Sequence, residues 1–167
     1  MHISRFFRLT VCAAMLCAAG WPAQAPSEMV GKAASGFVRK DLNRHRVDLS
    51  EYRGNVVLLN FWATWCAPCQ VELPEFEAWE KRFGVEGLRV IAISMDDNDS
   101  PVRRTVRRLH LHFPVVMGNA ELGEAYGGVL GLPTTFLIDR RGSIVAVFKG
   151  EADLTQIESR LQQLLAE

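Results

Sequence analysis

The sequence has few cysteines, and half of them lie near its N-terminus. Of its 167 residues only four are cysteines: Cys12, Cys17, Cys66 and Cys69. Small secreted domains held together by disulfides use more cysteines, spread along the chain. A structural zinc site would need two further ligands, and the three histidines beyond the N-terminal segment, at positions 45, 110 and 112, form no second spaced pair. The Cys66/Cys69 pair therefore indicates chemistry rather than a structural staple.

An excess of either charge is also missing. Lysine and arginine total 19, and aspartate and glutamate also total 19. Residues 1–25 hold two of the arginines, Arg5 and Arg8, and no acid, so the remainder has 17 basic and 19 acidic side chains. This balance argues against a general nucleic-acid binder, because such proteins carry an excess of basic residues.

Long hydrophobic runs are absent except at the N-terminus. There Arg5 and Arg8 precede the mostly apolar run 9–21, which is followed by Ala23-Gln24-Ala25. This order predicts a secretory signal, and the run is shorter than the about 20 residues of a membrane span. Pro26 disfavours cleavage directly after Ala25, so cleavage after position 19 or 20, or retention as a membrane anchor, stays open. We expect residues 1–25 to be a signal peptide or anchor and residues 26–167 to be one domain.

The rest of the chain alternates buried-strand and helix patterns. Residues 26–34 look like a loose lead-in, and a hairpin follows at 37–49. Continuous apolar runs predict central strands, and spaced apolar residues predict helices. Strands are expected at 56–62, 88–94, 113–117, 134–138 and 143–148, and helices at 71–83, 102–109, 120–126 and 152–166. This order predicts a three-layer α/β sandwich in which the final hairpin makes the sheet mixed.

The Cys66/Cys69 pair falls where a buried strand meets a helix. A helix N-terminus offers unpaired N–H groups and partial positive charge, which stabilise the thiolate that performs disulfide exchange. We expect Cys66, exposed at that end, to be the nucleophile, and Cys69, one turn further in, to be the resolving thiol. Trp62 and Trp65 flank the pair as an aromatic shelf. Metal binding and an inert disulfide are the alternatives.

Two segments resemble the thioredoxin superfamily and, within it, the TlpA/ResA-like extracytoplasmic reductases. They are residues 59–69 (LNFWATWCAPC) with the following Glu72-Leu73-Pro74, and residues 131–139 (GLPTTFLID). The resemblance implies a thioredoxin-like fold with extra N-terminal strands and an inserted strand–helix unit. It also implies no organic cofactor and no metal, a membrane electron donor, and the reduction of disulfides in exported partners such as apocytochrome c or copper-site proteins.

The resemblance also assigns residues around the cysteines. Pro133 matches the family's cis-proline, which would place the Leu132–Pro133 backbone where it can pair with an extended substrate segment; the alternative is an ordinary loop proline. Trp65 and Pro68 are the other expected substrate contacts. Glu72, one turn after Cys69, matches a glutamate that influences thiol titration in the ResA-like group. Otherwise it would be a solvated acid in the first turn of the helix.

The thioredoxin superfamily also contains functions that this sequence fits less well. Strong oxidants usually carry a histidine between the cysteines, whereas Ala67-Pro68 favours a reductant. A peroxiredoxin would need threonine three residues before its cysteine, where this chain has Ala63. A copper-delivery protein would use a CxxxC spacing and a distant histidine. The four arginines of the 102–109 helix are expected to form a solvated face, although they could dock an acidic partner.

Overall fold

The computed structural model describes residues 28–167, and the predicted export segment lies outside these described residues. Its order of strands and helices agrees with the sequence pattern. The strands are β1 (Val38–Lys40), β2 (Arg46–Asp48), β3 (Val56–Trp62), β4 (Leu88–Ser94), β5 (Val115–Met117), β6 (Thr134–Ile138) and β7 (Ile144–Lys149). The helices are α1 (Ala67–Phe83), α2 (Asp99–Arg108), α3 (Ala120–Ala125) and α4 (Leu154–Leu165), with short 3-10 turns at Leu49–Tyr52 and Gly84–Glu86.

A five-stranded mixed sheet in the order β5-β4-β3-β6-β7 forms the centre of the domain. β3, β4 and β5 are parallel, whereas β6 and β7 run antiparallel. Every residue of β3 is buried, because this apolar strand lies in the middle of the sheet with a layer on each face. The combination of parallel and antiparallel strands confirms the predicted mixed sheet.

Two apolar cores separate the sheet from its outer layers. One core contains Cys69, Leu73 and Phe76 of α1 with the apolar face of α4, and α2 adds Val102. The other contains side chains of α3 and of the β1–β2 hairpin. This arrangement is the predicted three-layer sandwich. Val71, the first residue of the helix predicted at 71–83 from its spaced apolar residues, is 66% exposed, so one of those apolar residues does not face the core.

The N-terminal segment pairs with the sheet, so the expectation of a loose lead-in was wrong. The N–H of Gly31 donates to the Ile144 carbonyl at 2.8 Å, and the Ile144 N–H donates to the Lys32 carbonyl at 2.9 Å. At the opposite edge, the Leu42 N–H donates to the Val115 carbonyl at 2.9 Å. The segment before β3 therefore covers part of both outer strands.

A side chain of α1 completes the hydrogen bonding of β4. The pairing of β5 with β4 begins opposite Ala92, so it does not reach Val90. The Val90 N–H instead donates to Oε1 of Glu80 at 3.2 Å. Burial raises the pKa of Glu80. This contact attaches the helix that begins at the cysteine pair to the strand that lies beneath it.

Candidate active site

Cys66 and Cys69 form a disulfide where the chain passes from β3 into α1. Their sulfurs are 2.05 Å apart and their Cα atoms 5.3 Å apart. Cys66 caps the helix: its Sγ accepts a hydrogen bond from the Cys69 N–H at 3.3 Å. Pro68 lies in the first turn, where it removes no intrahelical hydrogen bond. The helix N-terminus therefore points at the sulfur of Cys66, as the sequence predicts.

The two cysteines differ in accessibility less than the sequence suggests. Cys66 is 5% exposed and Cys69 fully buried, so the expectation of an exposed Cys66 was wrong for this disulfide form. The neighbouring indole of Trp65 is 71% exposed. Burial of Cys66 follows from its packing in the same apolar core as Trp62 and Ala63. Cys66 remains the more accessible of the two sulfur-bearing residues.

The cis-proline loop lies beside this core. The peptide bond between Leu132 and Pro133 is cis. Leu132 is half-buried against the core that contains both cysteines, and Pro133 is buried. The loop continues into β6, where the Thr134 hydroxyl donates to the Gly131 carbonyl at 2.8 Å. Leu132 therefore packs against the apolar core to which both cysteines belong.

Glu72 is a buried acid on α1, not a solvated one. It is 3% exposed, and its Oε2 has no hydrogen-bond partner within the described residues. Burial raises the pKa of Glu72 to about 7, and the charge of Glu151 adds to the rise. A long hydrogen bond from the Ala152 N–H acts in the opposite direction and lowers the pKa. A carboxyl group with this pKa can hold or release a proton near neutral pH.

Two further polar groups are buried on the same side of the sheet. Asn60 is 1% exposed, and its Nδ2 donates to Oγ1 of Thr135 on β6 at 2.9 Å. Its Oδ1 and the indole nitrogen of Trp62 have no hydrogen-bond partner in the described part of the chain. Of these buried polar residues, Glu72 is the one that carries an acid, and it lies one turn after Cys69 on α1.

The loop before Cys66 is held by residues that the sequence analysis did not identify. The Thr64 N–H donates to Asp96 Oδ2 at 2.9 Å, and its hydroxyl donates to Asp96 Oδ1 at 2.5 Å. The Thr64 carbonyl accepts from Nε2 of Gln70 at 2.7 Å, and Arg108 donates to Oε1 of Gln70. The only available signal was that Asp96 follows a strand whose end lies beside that of β3.

His112 and several arginines of α2 have partners within the domain. The carboxylate of Glu77 accepts from the His112 N–H at 2.7 Å and contacts its ring nitrogen at 2.8 Å. On α2, Arg103 pairs with Asp99 at 2.9 Å. The solvated face expected for α2 is therefore partly occupied by contacts within the domain. Within residues 28–167, no three histidine, cysteine or acidic side chains are placed to hold a metal ion.

A disulfide that caps the first helix after a buried strand, beside a cis-proline loop, defines a thioredoxin-like thiol–disulfide oxidoreductase. Residues 30–147 match the AhpC/TSA family. The thiol-disulfide oxidoreductase ResA of Bacillus thuringiensis subsp. konkukian is 37% identical over 136 residues, which are 81% of this chain and 78% of that protein. ResA of Bacillus subtilis is 34% identical over 152 residues, covering 87% and 84%.

Solved structures agree with these relatives. A thiol:disulfide interchange protein of the thioredoxin family from Chlorobium tepidum superposes with a TM-score of 0.75 at 25% identity, covering 81% of this chain and 97% of that one. The chain therefore belongs to the AhpC/TSA family and is a thiol–disulfide oxidoreductase similar to ResA. Its thioredoxin-like fold, with a mixed five-stranded sheet and an extra N-terminal hairpin, is the predicted one.

Proposed function

We propose that this protein reduces disulfides in exported partner proteins by dithiol–disulfide exchange at Cys66 and Cys69. The observation that carries the proposal is the placement of Cys66 as the cap of α1, with the Cys69 N–H directed at its sulfur. A thiolate formed at Cys66 would keep this donor and face the positive end of the helix. Both effects favour the attacking species.

The exchange proceeds in two displacements. The Cys66 thiolate attacks one sulfur of the partner disulfide, which forms a mixed disulfide and releases the other sulfur as a thiolate. The Cys69 thiolate then attacks Cys66 Sγ, which closes the Cys66–Cys69 disulfide and releases the second partner sulfur. Two electrons pass to the partner, whose two sulfurs become thiols. A membrane electron donor would return the pair to the dithiol.

Glu72 would assist the second displacement. It lies one turn after Cys69 on the same helix, where residues three apart are neighbours, and burial brings its pKa to about 7. An ionised Glu72 can accept the proton of the Cys69 thiol as that sulfur attacks. Because its charge also raises the pKa values of the thiols, its effect on the exchange should depend on pH.

A partner segment would bind at the cis-proline loop. The exposed indole of Trp65 and the half-buried Pro68 and Leu132 offer apolar contacts around the disulfide. The backbone at Leu132 and Pro133 would pair with an extended strand of the partner.

The predicted compartment is extracytoplasmic, reached through residues 1–25 as a cleaved signal or a membrane anchor. No helix among residues 28–167 is long and apolar enough to cross a membrane. Apocytochrome c before haem attachment and the cysteines of a copper site are the partner classes that this proposal includes. Fusion of residues 1–40 to a reporter that is active only after export would test the compartment.

The reduction potential of the pair tests the direction of electron flow. The protein is equilibrated with a dithiothreitol or glutathione series, and the Cys66–Cys69 disulfide is quantified. We expect a potential near or below about −270 mV, that of thioredoxin. A value near about −120 mV, that of a strong oxidant, would assign the same residues to an oxidase, and absence of a reversible disulfide would exclude redox exchange altogether.

Trapping experiments test the division of roles. In Cys69→Ser the second displacement cannot occur, so a mixed disulfide between Cys66 and a disulfide peptide should accumulate. Cys66→Ser should form little or none, because Cys69 is fully buried. The reverse pattern would exchange the two roles. Copper titration of the reduced protein tests the copper-delivery alternative, which requires tight one-to-one binding that both substitutions abolish.

A peroxidase function receives no support from the threonine nearest the cysteine pair. The Thr64 hydroxyl donates to Asp96, and the position three residues before Cys66 is Ala63. A peroxide-consumption assay of the reduced protein would measure this alternative directly. A rate comparable with that of peptide disulfide reduction would make peroxide the substrate.

A further inference from the structure

The ends of β3 and β4 diverge directly before the disulfide. Their last backbone connection is the hydrogen bond from the Met95 N–H to the Trp62 carbonyl at 2.8 Å. Beyond this point the carboxylate of Asp96 spans the gap, because it accepts from both the N–H and the hydroxyl of Thr64. Asp96 is itself held by the Ser94 hydroxyl at 2.8 Å. A side chain therefore continues the connection that the strands no longer make.

The Thr64 peptide is also held from its other side. Its carbonyl accepts from Gln70 in the first turn of α1, and Gln70 accepts from Arg108 of α2. The turn that contains Thr64 is closed by the hydrogen bond from the Cys66 N–H to the Ala63 carbonyl at 3.2 Å. The position of the Cys66 sulfur over the helix N-terminus thus depends on contacts from the segment after β4 and from α2.

We propose that Asp96 is a positioning residue for Cys66: by fixing Thr64, its carboxylate keeps the Cys66 sulfur at the N-terminus of α1. The inference rests on the proposed function, in which Cys66 is the attacking thiol. Asp96 does not contact the sulfur in this structure, so its effect passes through the loop. Without the hydrogen bonds to Asp96, the loop at Thr64 could move, and the Cys66 sulfur would then leave the Cys69 N–H and the positive end of the helix.

The sign of the pKa change of Cys66 separates positioning from a simple charge effect. A carboxylate near a thiol raises the thiol pKa, so removal of its charge alone would lower the pKa of Cys66. Loss of the sulfur's place at the helix N-terminus would raise that pKa. Three other charged groups lie close in contact or in sequence: Arg108 of α2, which donates to Gln70, Asp97 beside Asp96, and Glu72 after Cys69. All three keep their charge in Asp96→Ala, Asp96→Asn and Thr64→Val.

The experiment measures the alkylation rate of Cys66 by iodoacetamide against pH in the reduced full-length protein. Mass spectrometry of the peptide that contains Cys66 excludes signal from Cys12 and Cys17. We expect Asp96→Ala to raise the pKa of Cys66 by about half a unit or more. Asp96→Asn removes the charge but keeps an oxygen that can accept from the Thr64 N–H. In this variant the pKa of Cys66 should therefore lie at or below the wild-type value.

Asp97→Ala is the matched control, since it removes an acid of the same charge from the adjacent exposed position. We expect no rise in the pKa of Cys66 there. The reduction potential of the Cys66–Cys69 pair gives a second readout. A less stable thiolate makes the reduced form less stable, so the potential of Asp96→Ala should be more negative than that of the wild type. Asp97→Ala should keep the wild-type potential.

An unchanged or lowered pKa of Cys66 in Asp96→Ala would overturn the proposal. If that variant does not fold, Thr64→Val removes only the hydroxyl contact and should still raise the pKa, and an unchanged value would be equally decisive. Failure of the proposed function looks different, because the wild type itself would then show no reversible Cys66–Cys69 disulfide.

Discussion

Oε1 of Glu72 accepts a hydrogen bond of 3.5 Å from the backbone N–H of Ala152, which joins α1 to the segment between β7 and α4. This single long hydrogen bond offsets little of the cost of removing the charged carboxylate from water. The second oxygen of Glu72, Oε2, has no partner among the described residues. The pKa of Glu72 is therefore raised to about 7. Burial of the acid and its closeness to Cys69 come from the same packing.

The raised pKa of Glu72 predicts a pH-dependent stability. Its folded-state value, about 7, lies above the ordinary value of 4.5, so the protonated form favours the folded state. The free energy of unfolding should therefore fall as pH rises from about 4.5 to above 7, by on the order of 3 kcal/mol. Glu72→Gln should remove this decline.

Urea unfolding of the oxidised protein at several pH values measures this effect without interference from the thiols. Glu75→Gln is the control, because Glu75 lies on the same helix but is exposed. It should retain the wild-type decline. A Glu72→Gln profile parallel to wild type would mean that the Glu72 carboxyl group is not the source.

Asn60→Asp should also make the free energy of unfolding fall as pH rises. The side chain is buried, and Thr135 contacts it from β6. A carboxyl group there would be desolvated, so its pKa would lie above the ordinary Asp value of about 3.9. The variant should be close to wild type at pH 4 and less stable at pH 8. An equal decrease in the free energy of unfolding at both pH values would instead indicate altered packing.

Glu77 has the opposite pH dependence. Burial alone would raise its pKa, but the backbone N–H and ring of His112 and the ammonium group of Lys81 lower it below the ordinary value. Its contribution is therefore present above about pH 4.5 and is lost as pH falls through the lowered value. Glu77→Ala should reduce the free energy of unfolding at pH 7 by about 1–3 kcal/mol, since the His112 N–H loses its acceptor.

The loss in Glu77→Ala should shrink towards pH 3, where Glu77 of the wild type becomes protonated. Glu75→Ala, on the exposed side of α1, serves as the matched control and should stay within about 0.5 kcal/mol of wild type. A loss in Glu77→Ala that does not change with pH would show that packing, rather than charge, holds α1 to the loop before β5.

Gly118 supports the corner from which Asp96 extends. Its N–H donates to the Ser94 carbonyl at 2.7 Å. A Cβ at this position would lie 3.0 Å from that carbonyl oxygen and 2.8 Å from a methyl carbon of Ile93. Gly118→Ala should lower the free energy of unfolding by about 1–3 kcal/mol, because the backbone of β4 must move.

Gly36→Ala provides the comparison for Gly118→Ala. A Cβ at Gly36 would meet no atom within 4 Å, so this variant should be neutral or slightly more stable. Chemical denaturation of both variants gives the two free energies under identical conditions. Equal values would mean that β4 tolerates the additional methyl group.

The central strands and the cysteine pair could be predicted because their signals are local. The runs at 56–62 and 88–94 are mostly apolar, and the structure places β3 and β4 at these residues. The position of Cys66 as a helix cap follows from the strand–helix order. The burial of Glu72 could not be read from α1 alone, because Ala152 comes from the other end of the chain.

Contacts between loops were the least predictable features. The Thr64–Asp96 contact depends on how two parallel strands end beside each other, which no local pattern encodes. Val71 has the apolar character of a core residue, yet it lies on the exposed side of α1. Cys66 lies at a helix start, where the sequence predicts exposure, but the surrounding apolar core covers it.

The pairing of the N-terminal segment with the outer strands affects how the domain can be completed. The residues that cover the sheet edges come early in the described chain, whereas β5 and β7 come late, so Ala33 finds its partner at Ser143. Until the C-terminal hairpin has formed, these backbone groups are unpaired and open to strands of other molecules. A chain that enters another compartment N-terminus first would therefore remain prone to intermolecular strand pairing until its last third arrives.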